Sequence, residues 1–131
     1  MHKPFFIWAS FFALIAVALG ALGAHALKAV LPPESLASFE TGVRYQFYHA
    51  LGLFIVSYAY AIRPEPLFRW AGRLFIAAIF CFSGSIYLLS CGDFLGIGRW
   101  TWLGPVTPLG GLLFLAGWWL LAWGAWRNGT K

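Results

Sequence analysis

The side chains in this sequence that could do chemistry are its histidines, a glutamine, and a scatter of tyrosine, serine and threonine hydroxyls. The stretch "YQFYHALGLF", residues 45–54, places Gln46 and His49 at the start of a run that is almost free of polar residues as far as Ile62. An imidazole in such a run could ligate a metal, move a proton, or do no more than form a hydrogen bond. Which of these it does depends on the elements that position it.

The composition predicts that those elements are membrane-spanning helices. Of the 131 residues, 61% are hydrophobic and only 10% are charged, which is more apolar surface than a soluble core of this size can hide. A spanning helix needs roughly 20 apolar residues, and four stretches qualify, at about residues 4–26, 44–62, 70–90 and 109–126. We therefore expect an all-α integral membrane protein, a compact four-transmembrane-helix bundle that forms a single transmembrane domain over residues 1–131.

The first loop predicts a short interfacial helix at about residues 33–43. Tandem prolines suited to a helix start come before Leu36, Phe39 and Val43, three apolar residues at helical steps. We expect this helix to lie at the membrane surface and to continue directly into the second span.

The first span also has features of a secretory signal, because Lys3 precedes an apolar run that ends in the small-residue tripeptide Ala24-His25-Ala26. The apolar run from Phe5 to Leu22 is longer than the roughly 7–15 residues of an ordinary signal core. We therefore expect the segment to be retained as a helix.

Basic residues predict the orientation, because loop ends rich in Lys and Arg resist translocation. In a four-span topology one side holds Lys3, Arg63, Arg69, Arg73, Arg127 and Lys131, whereas the other holds Lys28, Arg44 and Arg99. This imbalance predicts that both termini are cytoplasmic. The net charge of +5 then reflects topology and attraction to anionic lipid, and it does not imply a nucleic-acid partner.

Small residues predict where the helices pack, since lipid gives apolar helices no reason to associate and close backbone approach must supply one. Small or polar residues recur at steps of three, four or seven in each predicted span. In the first span they form a small-residue seam of Ala9, Ala13, Ala16, Gly20 and Gly23, and in the second a row of Gly42, Tyr45, His49, Gly52, Val56 and Ala59. The glycines that we expect at helix contacts are Gly20, Gly23, Gly52, Gly84, Gly110, Gly117 and Gly124.

Threading the four spans brings hydrogen-bonding side chains from every helix to the non-cytoplasmic half of the bundle. This candidate cluster comprises His25, Tyr45, Gln46, His49, Ser83, Ser85, Tyr87 and Thr107. It is either a site that opens outward or a hydrogen-bonded plug that closes one end of the bundle. In the second interpretation His49, with His25 and Tyr87, fixes the helix register through buried hydrogen bonds.

The spacing of these residues demands no particular catalyst. Ser83 or Ser85 could be drawn with His49 and Asp93 as a triad, but no motif requires it. Paired-carboxylate chemistry within the membrane is excluded, because the acidic residues all fall in predicted loops. Two histidines on neighbouring helices, His25 and His49, leave axial haem ligation open. We expect no catalytic residues, no metal and no cofactor.

Four segments of the chain carry a resemblance to a known family. They are "GALGAHALK" (20–28), "TGVRYQFYHAL" (41–51), "FSGSIYLL" (82–89) and "TPLGGLLFLAGW" (107–118). Their order and spacing resemble the domain of unknown function 423 family, small four-helix membrane proteins of bacteria that are similar to transmembrane protein 256. The resemblance implies a multi-pass protein of the bacterial inner (plasma) membrane, and it supplies no reaction.

Three functions remain open at this point. The first is an accessory, assembly or lipid-organising subunit of a larger membrane complex. The second is an oligomeric channel or transporter for a small neutral or lipidic molecule, and the third is a haem-binding redox subunit that uses His25 and His49. The expected partners are membrane lipid and other membrane subunits, or further copies of the same chain.

Overall fold

The computed structural model describes residues 1–98 and 100–129, so that Arg99, Thr130 and Lys131 lie outside the described part. All regular structure in the described part is helical. The first long helix, α1, covers Lys3–Val30, and α2 covers Pro33–Ile62. The third, α3, covers Pro66–Cys91, and α4 covers Val106–Asn128 after a short 3₁₀ turn at Thr101–Leu103.

Two of these helices contain a π-helical turn. In α1 the α-helix Lys3–Leu22 passes through a π turn at Gly23–Leu27 before it resumes at Lys28–Val30. In α3 the α-helix Pro66–Ile79 passes through a π turn at Phe80–Gly84 and resumes at Ser85–Cys91. Such turns change the direction in which following side chains point, and they are frequent at functional sites.

Proline sets the start of the first three helices. Pro4, Pro33 and Pro66 each lie in the first helical turn, where the missing N–H would have no partner and the fixed φ already suits a helix. The residues of the predicted interfacial helix, 33–43, and of the second predicted span, 44–62, form the single helix α2. Its 30 residues are about 45 Å long.

Within the described residues, three helical segments are long and apolar enough to cross a membrane. They are Lys3–Val30, Pro66–Cys91 and Thr101–Arg127. Helix α2 is less apolar because Gln46, His49 and several tyrosines occur in its central part. Those two polar side chains are buried in the bundle, at 3% and 5% exposure.

Helices α1 and α2 run antiparallel and touch along their whole length. At one end the His2 N–H donates to the Ser57 carbonyl, and the Ser57 hydroxyl donates back to the His2 carbonyl. At the other end the ring of Phe39 lies 3.2 Å from where a Cβ of Gly23 would stand. Between these ends, Ala9 and Ala16 on the predicted small-residue seam are buried.

Helices α3 and α4 pack through a repeating arrangement of phenylalanine against glycine. Phe68, Phe75 and Phe82 are seven residues apart on α3, and they lie against Gly124, Gly117 and Gly110, which are seven apart on α4. A Cβ on Gly117 or Gly124 would come within 2.6 or 2.7 Å of a phenylalanine ring, and a Cβ on Gly110 within 2.5 Å of the Phe82 backbone nitrogen. The glycines therefore determine how closely the two helices approach.

The other glycines expected at contacts differ from one another. A Cβ on Gly52 would lie 3.0 Å from the Phe75 ring, and one on Gly20 would make an ordinary contact with Val43 at 3.5 Å. A Cβ on Gly84 would meet nothing within 4 Å. Gly84 lies in the π turn of α3 and is half-buried, whereas Ala77 before the turn and Leu88 after it are exposed.

Candidate functional site

Gln46 is the centre of the buried polar network. Its Nε2 donates to the Phe12 carbonyl of α1 at 2.9 Å, and its Oε1 accepts a hydrogen bond from the Tyr87 hydroxyl of α3 at 2.7 Å. The Gln46 amide thus links three helices, and its side chain is buried between them at 3% exposure. A buried amide without these partners would cost free energy, because the surroundings offer no water to replace them.

A second link joins α2 to the π turn of α3. The Ser83 hydroxyl donates to the Gly42 carbonyl at 2.7 Å, and Ser83 is fully buried. Gly42 permits this approach, since a Cβ there would lie 2.9 Å from the Tyr87 ring. In the sequence Gly42 belongs to a row with Tyr45, His49 and Gly52 at steps of three and four, and this row predicts a helix face that packs against a neighbour.

A third link joins α3 to the start of α4. The hydroxyls of Ser85 and Thr107 lie 2.6 Å apart, and Ser85 also donates to the Phe82 carbonyl within the π turn at 3.0 Å. This pair is built from the same part of α3 as the Ser83 link, but it points to α4 instead of α2.

His49 lies in an aromatic surrounding and makes no hydrogen bond to another helix within the described residues. Its Nδ1 bonds the Tyr45 carbonyl of its own helix at 2.6 Å, so Nδ1 carries a proton, because a carbonyl can only accept. The ring stacks on Phe114 with centroids 3.5 Å apart. Its centroid lies 5.4 Å from that of Phe75, in an edge-on arrangement, and 5.9 Å from that of Trp118, in a tilted one. The imidazole therefore packs as an aromatic ring between α3 and α4.

His25 and Tyr45 are not part of the hydrogen-bonded network. His25 is exposed, and its Nδ1 bonds the Ala21 carbonyl of its own helix at 3.0 Å. Tyr45 is 41% exposed and packs its ring against Phe82. The expectation that both histidines fix the register through interhelical hydrogen bonds is wrong, because each ring bonds the carbonyl four residues earlier in its own helix. Gln46, Ser83 and Tyr87 make the links instead.

A cavity that sequence reasoning missed lies next to this network, at the same end of the bundle. It has a volume of about 440 Å³ between the first turns of α2, the last turns of α3 and the start of α4. Its polar lining residues are Glu34, Ser35, Ser38, Thr41, Ser90 and Thr107. The steps of three from Ser35 to Ser38 and Thr41 were the sequence signal for a polar helix face.

The residues that the sequence offered for metal or nucleophilic chemistry do not come together in the described part of the chain. They contain no group of three or more His, Cys, Asp and Glu side chains placed to hold a metal ion. Cys81 and Cys91 are free thiols. The triad drawn from the sequence lacks its central contact, because Ser83 bonds a backbone carbonyl and His49 bonds its own helix.

Comparison with known proteins gives the family. The profile described as "Protein of unknown function (DUF423)" matches residues 19–111. The UPF0382 membrane protein YwdK of Bacillus subtilis is 43% identical over 117 residues, which cover 88% of this chain and 90% of that protein. A UPF0382 membrane protein of Staphylococcus haemolyticus is 37% identical over 119 residues, 91% of this chain and 92% of that protein.

A relative from a third organism is also named as a membrane protein. The UPF0382 inner membrane protein YgdD of Escherichia coli is 36% identical over 125 residues, which cover 95% of this chain and 91% of that protein. No solved structure matches the chain. The resemblance seen in the sequence is confirmed: this chain belongs to the DUF423 family, whose curated relatives are the UPF0382 membrane proteins, and it is a membrane protein with helical transmembrane segments.

Proposed function

We propose that this chain is a four-span protein of the bacterial inner membrane that organises lipid, or assists assembly of a larger membrane complex, without chemistry of its own. The observation that carries the proposal is that polar side chains between the helices bond to one another or to the backbone of a neighbouring helix. Gln46, Ser83 and Tyr87 all bond to neighbouring helices, so their hydrogen-bonding capacity is used in holding the bundle together.

The position of α2 supports four spans, although α2 is not among the three helical segments that are apolar enough by composition. Helix α2 contacts the apolar helix α1 from His2 and Ser57 at one end to Gly23 and Phe39 at the other. A helix that accompanies a spanning helix over this length crosses the same membrane. Its polar groups are tolerated because they face the bundle instead of lipid.

The basic residues support cytoplasmic termini. Among the described residues, the end of the bundle formed by the start of α1, the α2–α3 turn and the end of α4 carries Lys3, Arg63, Arg69, Arg73 and Arg127. The opposite end carries Lys28 and Arg44. The positive-inside rule places the more basic end in the cytoplasm, and the name of the Escherichia coli relative favours the inner membrane.

One labelling experiment tests the span count and the orientation together. Lys28→Cys and Glu65→Cys, each in a chain whose own cysteines are replaced by alanine, are treated with a membrane-impermeant maleimide in spheroplasts. Only α2 lies between these positions. We expect K28C to react in intact spheroplasts and E65C only after lysis. Equal reaction of both positions would contradict a spanning α2, and the reverse pattern would contradict the orientation.

The outer surface of the bundle supports a role among lipids or membrane partners. Along α4, Leu112, Leu115, Trp119 and Trp126 are between 63% and 68% exposed. Trp126 lies at the C-terminal end of α4, where a tryptophan suits the membrane–water interface. Its ring can contact lipid while its N–H stays in contact with water. This exposed apolar surface is explained by contact with lipid or a membrane partner, and it does not require the channel alternative.

The functional test is the mass of the native complex, measured with an absorption spectrum after gentle extraction in a lipid-preserving detergent. A colourless assembly that contains foreign subunits supports the assembly role, and one that retains annular lipid supports lipid organisation. A homo-oligomer of the 14.5 kDa chain that conducts a neutral solute in vesicles would instead favour the channel alternative. A haem spectrum that is lost with His49→Phe would favour the redox alternative.

A further inference from the structure

The cavity of about 440 Å³ at the non-cytoplasmic end of the bundle contains polar groups that the fold does not use. Ser90 is only 8% exposed, and its Oγ is buried without a hydrogen-bond partner. A buried hydroxyl without a partner costs free energy, so a native structure that keeps one commonly does so for a ligand or an ordered water.

Other hydroxyls of the lining can also form further hydrogen bonds. The side-chain hydroxyls of Ser35 and Ser38 make no hydrogen bond within the described residues. Thr41 donates to the Ala37 carbonyl and Thr107 pairs with Ser85, but each of these oxygens retains a lone pair that can accept. The cavity therefore offers oxygen acceptors, together with the O–H donors of Ser35, Ser38 and Ser90, around a volume within the range of about 300–1,000 Å³ usual for small-molecule sites.

The charge of the lining residues favours a ligand of the opposite charge. Glu34 is the one charged side chain among the described lining residues, and no described basic residue pairs with it. A carboxylate among hydroxyl oxygens attracts a cation that donates hydrogen bonds, and it repels a free anion. A primary ammonium group has three N–H donors and a single positive charge, which matches this set of acceptors.

The position of the cavity indicates what carries the ammonium group. Helix ends line it, and in the proposed topology these ends lie at the level of the outer lipid headgroups. Two apolar side chains, Ile86 and Leu89, complete the lining next to the polar residues. A lining that combines polar and apolar side chains suits a headgroup whose glycerol and acyl chains continue into the membrane.

We propose that this cavity binds the primary ammonium headgroup of a lipid such as phosphatidylethanolamine. The proposal deepens the lipid-organising function, and it rests on that function for the placement of the cavity at the membrane surface. Phosphatidylcholine is the natural comparison, because its quaternary ammonium has the same charge but no N–H to donate to Ser90, Ser38 or Glu34.

The test uses full-length protein in nanodiscs of equal parts phosphatidylethanolamine and phosphatidylcholine, with the retained lipid identified by native mass spectrometry. We expect the wild-type protein to prefer phosphatidylethanolamine by about tenfold in Kd, as charge-assisted hydrogen bonds allow. Glu34→Gln should remove most of that preference, and Ser90→Ala should reduce it. Glu40→Gln is the matched control, since it makes the same change on the same helix outside this cavity.

Two results would overturn the proposal. One is a wild-type protein that retains both lipids equally, and the other is an equal effect of E34Q and E40Q on the preference. Either result leaves the four-span topology and the assembly role untouched, because the labelling experiment tests the first and the extraction experiment tests the second.

A competition arm identifies the source of the ammonium group. Glycerophosphoethanolamine is added to protein in pure phosphatidylcholine nanodiscs and in the mixed nanodiscs. We expect it to bind the wild-type protein and to displace phosphatidylethanolamine. Binding of the soluble compound together with no lipid preference would show that the ligand is a soluble amine, and it would overturn the lipid assignment.

Discussion

The contact between Gly110 and the backbone of Phe82 makes the sharpest stability prediction. A Cβ at Gly110 would stand 2.5 Å from the Phe82 nitrogen and 2.8 Å from its Cα. These are backbone atoms, which cannot rotate away as the end of a side chain can. Gly110→Ala must therefore push α4 away from α3 by about 0.9 Å to reach the 3.4 Å at which ordinary contact begins.

The neighbouring glycine supplies a matched control. A Cβ at Gly111 would meet nothing within 4 Å, and both glycines lie in the first two turns of α4. Alanine gains up to about 1 kcal/mol of helix propensity over glycine at either position. That gain cancels in the difference between the two variants, which leaves the packing cost alone, about 1–3 kcal/mol.

The assay is unfolding in mixed micelles with an increasing fraction of denaturing detergent, followed by fluorescence of the eight tryptophans. We expect Gly111→Ala to be neutral or stabilising, and Gly110→Ala to lower the free energy of unfolding relative to it by about 1–3 kcal/mol. A difference below about 0.5 kcal/mol, within the usual range of surface substitutions, would show that the close approach of α3 and α4 is not a constraint.

Three further predictions use the same unfolding assay or hydrogen exchange. A double-mutant cycle of Gln46→Leu and Tyr87→Phe should give a coupling free energy of about 0.6 kcal/mol, and at most about 1.7 kcal/mol; a coupling of zero would mean that the 2.7 Å hydrogen bond contributes nothing. His49→Phe should cost less than about 1 kcal/mol because the ring keeps its stacking on Phe114, whereas His49→Ala should cost about 2 kcal/mol or more; equal costs would contradict the aromatic role. Ser57→Ala should cost about 0.5–1.5 kcal/mol and speed amide exchange at the start of α1, since it removes the hydrogen bond to the His2 carbonyl; unchanged exchange there would show that this bond does not hold the N-terminus.

Helix positions could be predicted from the sequence because they depend on local properties. The length of an apolar run and the position of a proline determine where a helix begins and how far it extends, and neither needs knowledge of a partner. The predicted small-residue seam of α1 was also readable, because its spacing alone places Ala9, Ala16 and Gly23 on one face.

The partner of each seam could not be predicted in this way. The glycines of α4 indicated close packing, but the sequence did not show that Phe68, Phe75 and Phe82 lie against them. That pairing depends on the antiparallel register of two helices separated by a long loop. The same limit applied to His49: its spacing placed it on a buried face, but only the fold shows that the neighbours are Phe114 and Trp118 rather than hydrogen-bonding groups.

The polar residues at the end of the bundle that contains the cavity divide into two groups, whose replacement should have different effects. Gln46 and Ser83 lie among the helices and have partners in the fold, so their replacement should change stability. Ser90 and Glu34 lie next to the cavity and have no described partner, so their replacement should change what binds with little effect on stability. Both groups look alike in the sequence, because each consists of polar residues within or next to an apolar run. A search for the function of this family therefore gains more from residues such as Glu34 and Ser90 than from the histidine in the middle of α2.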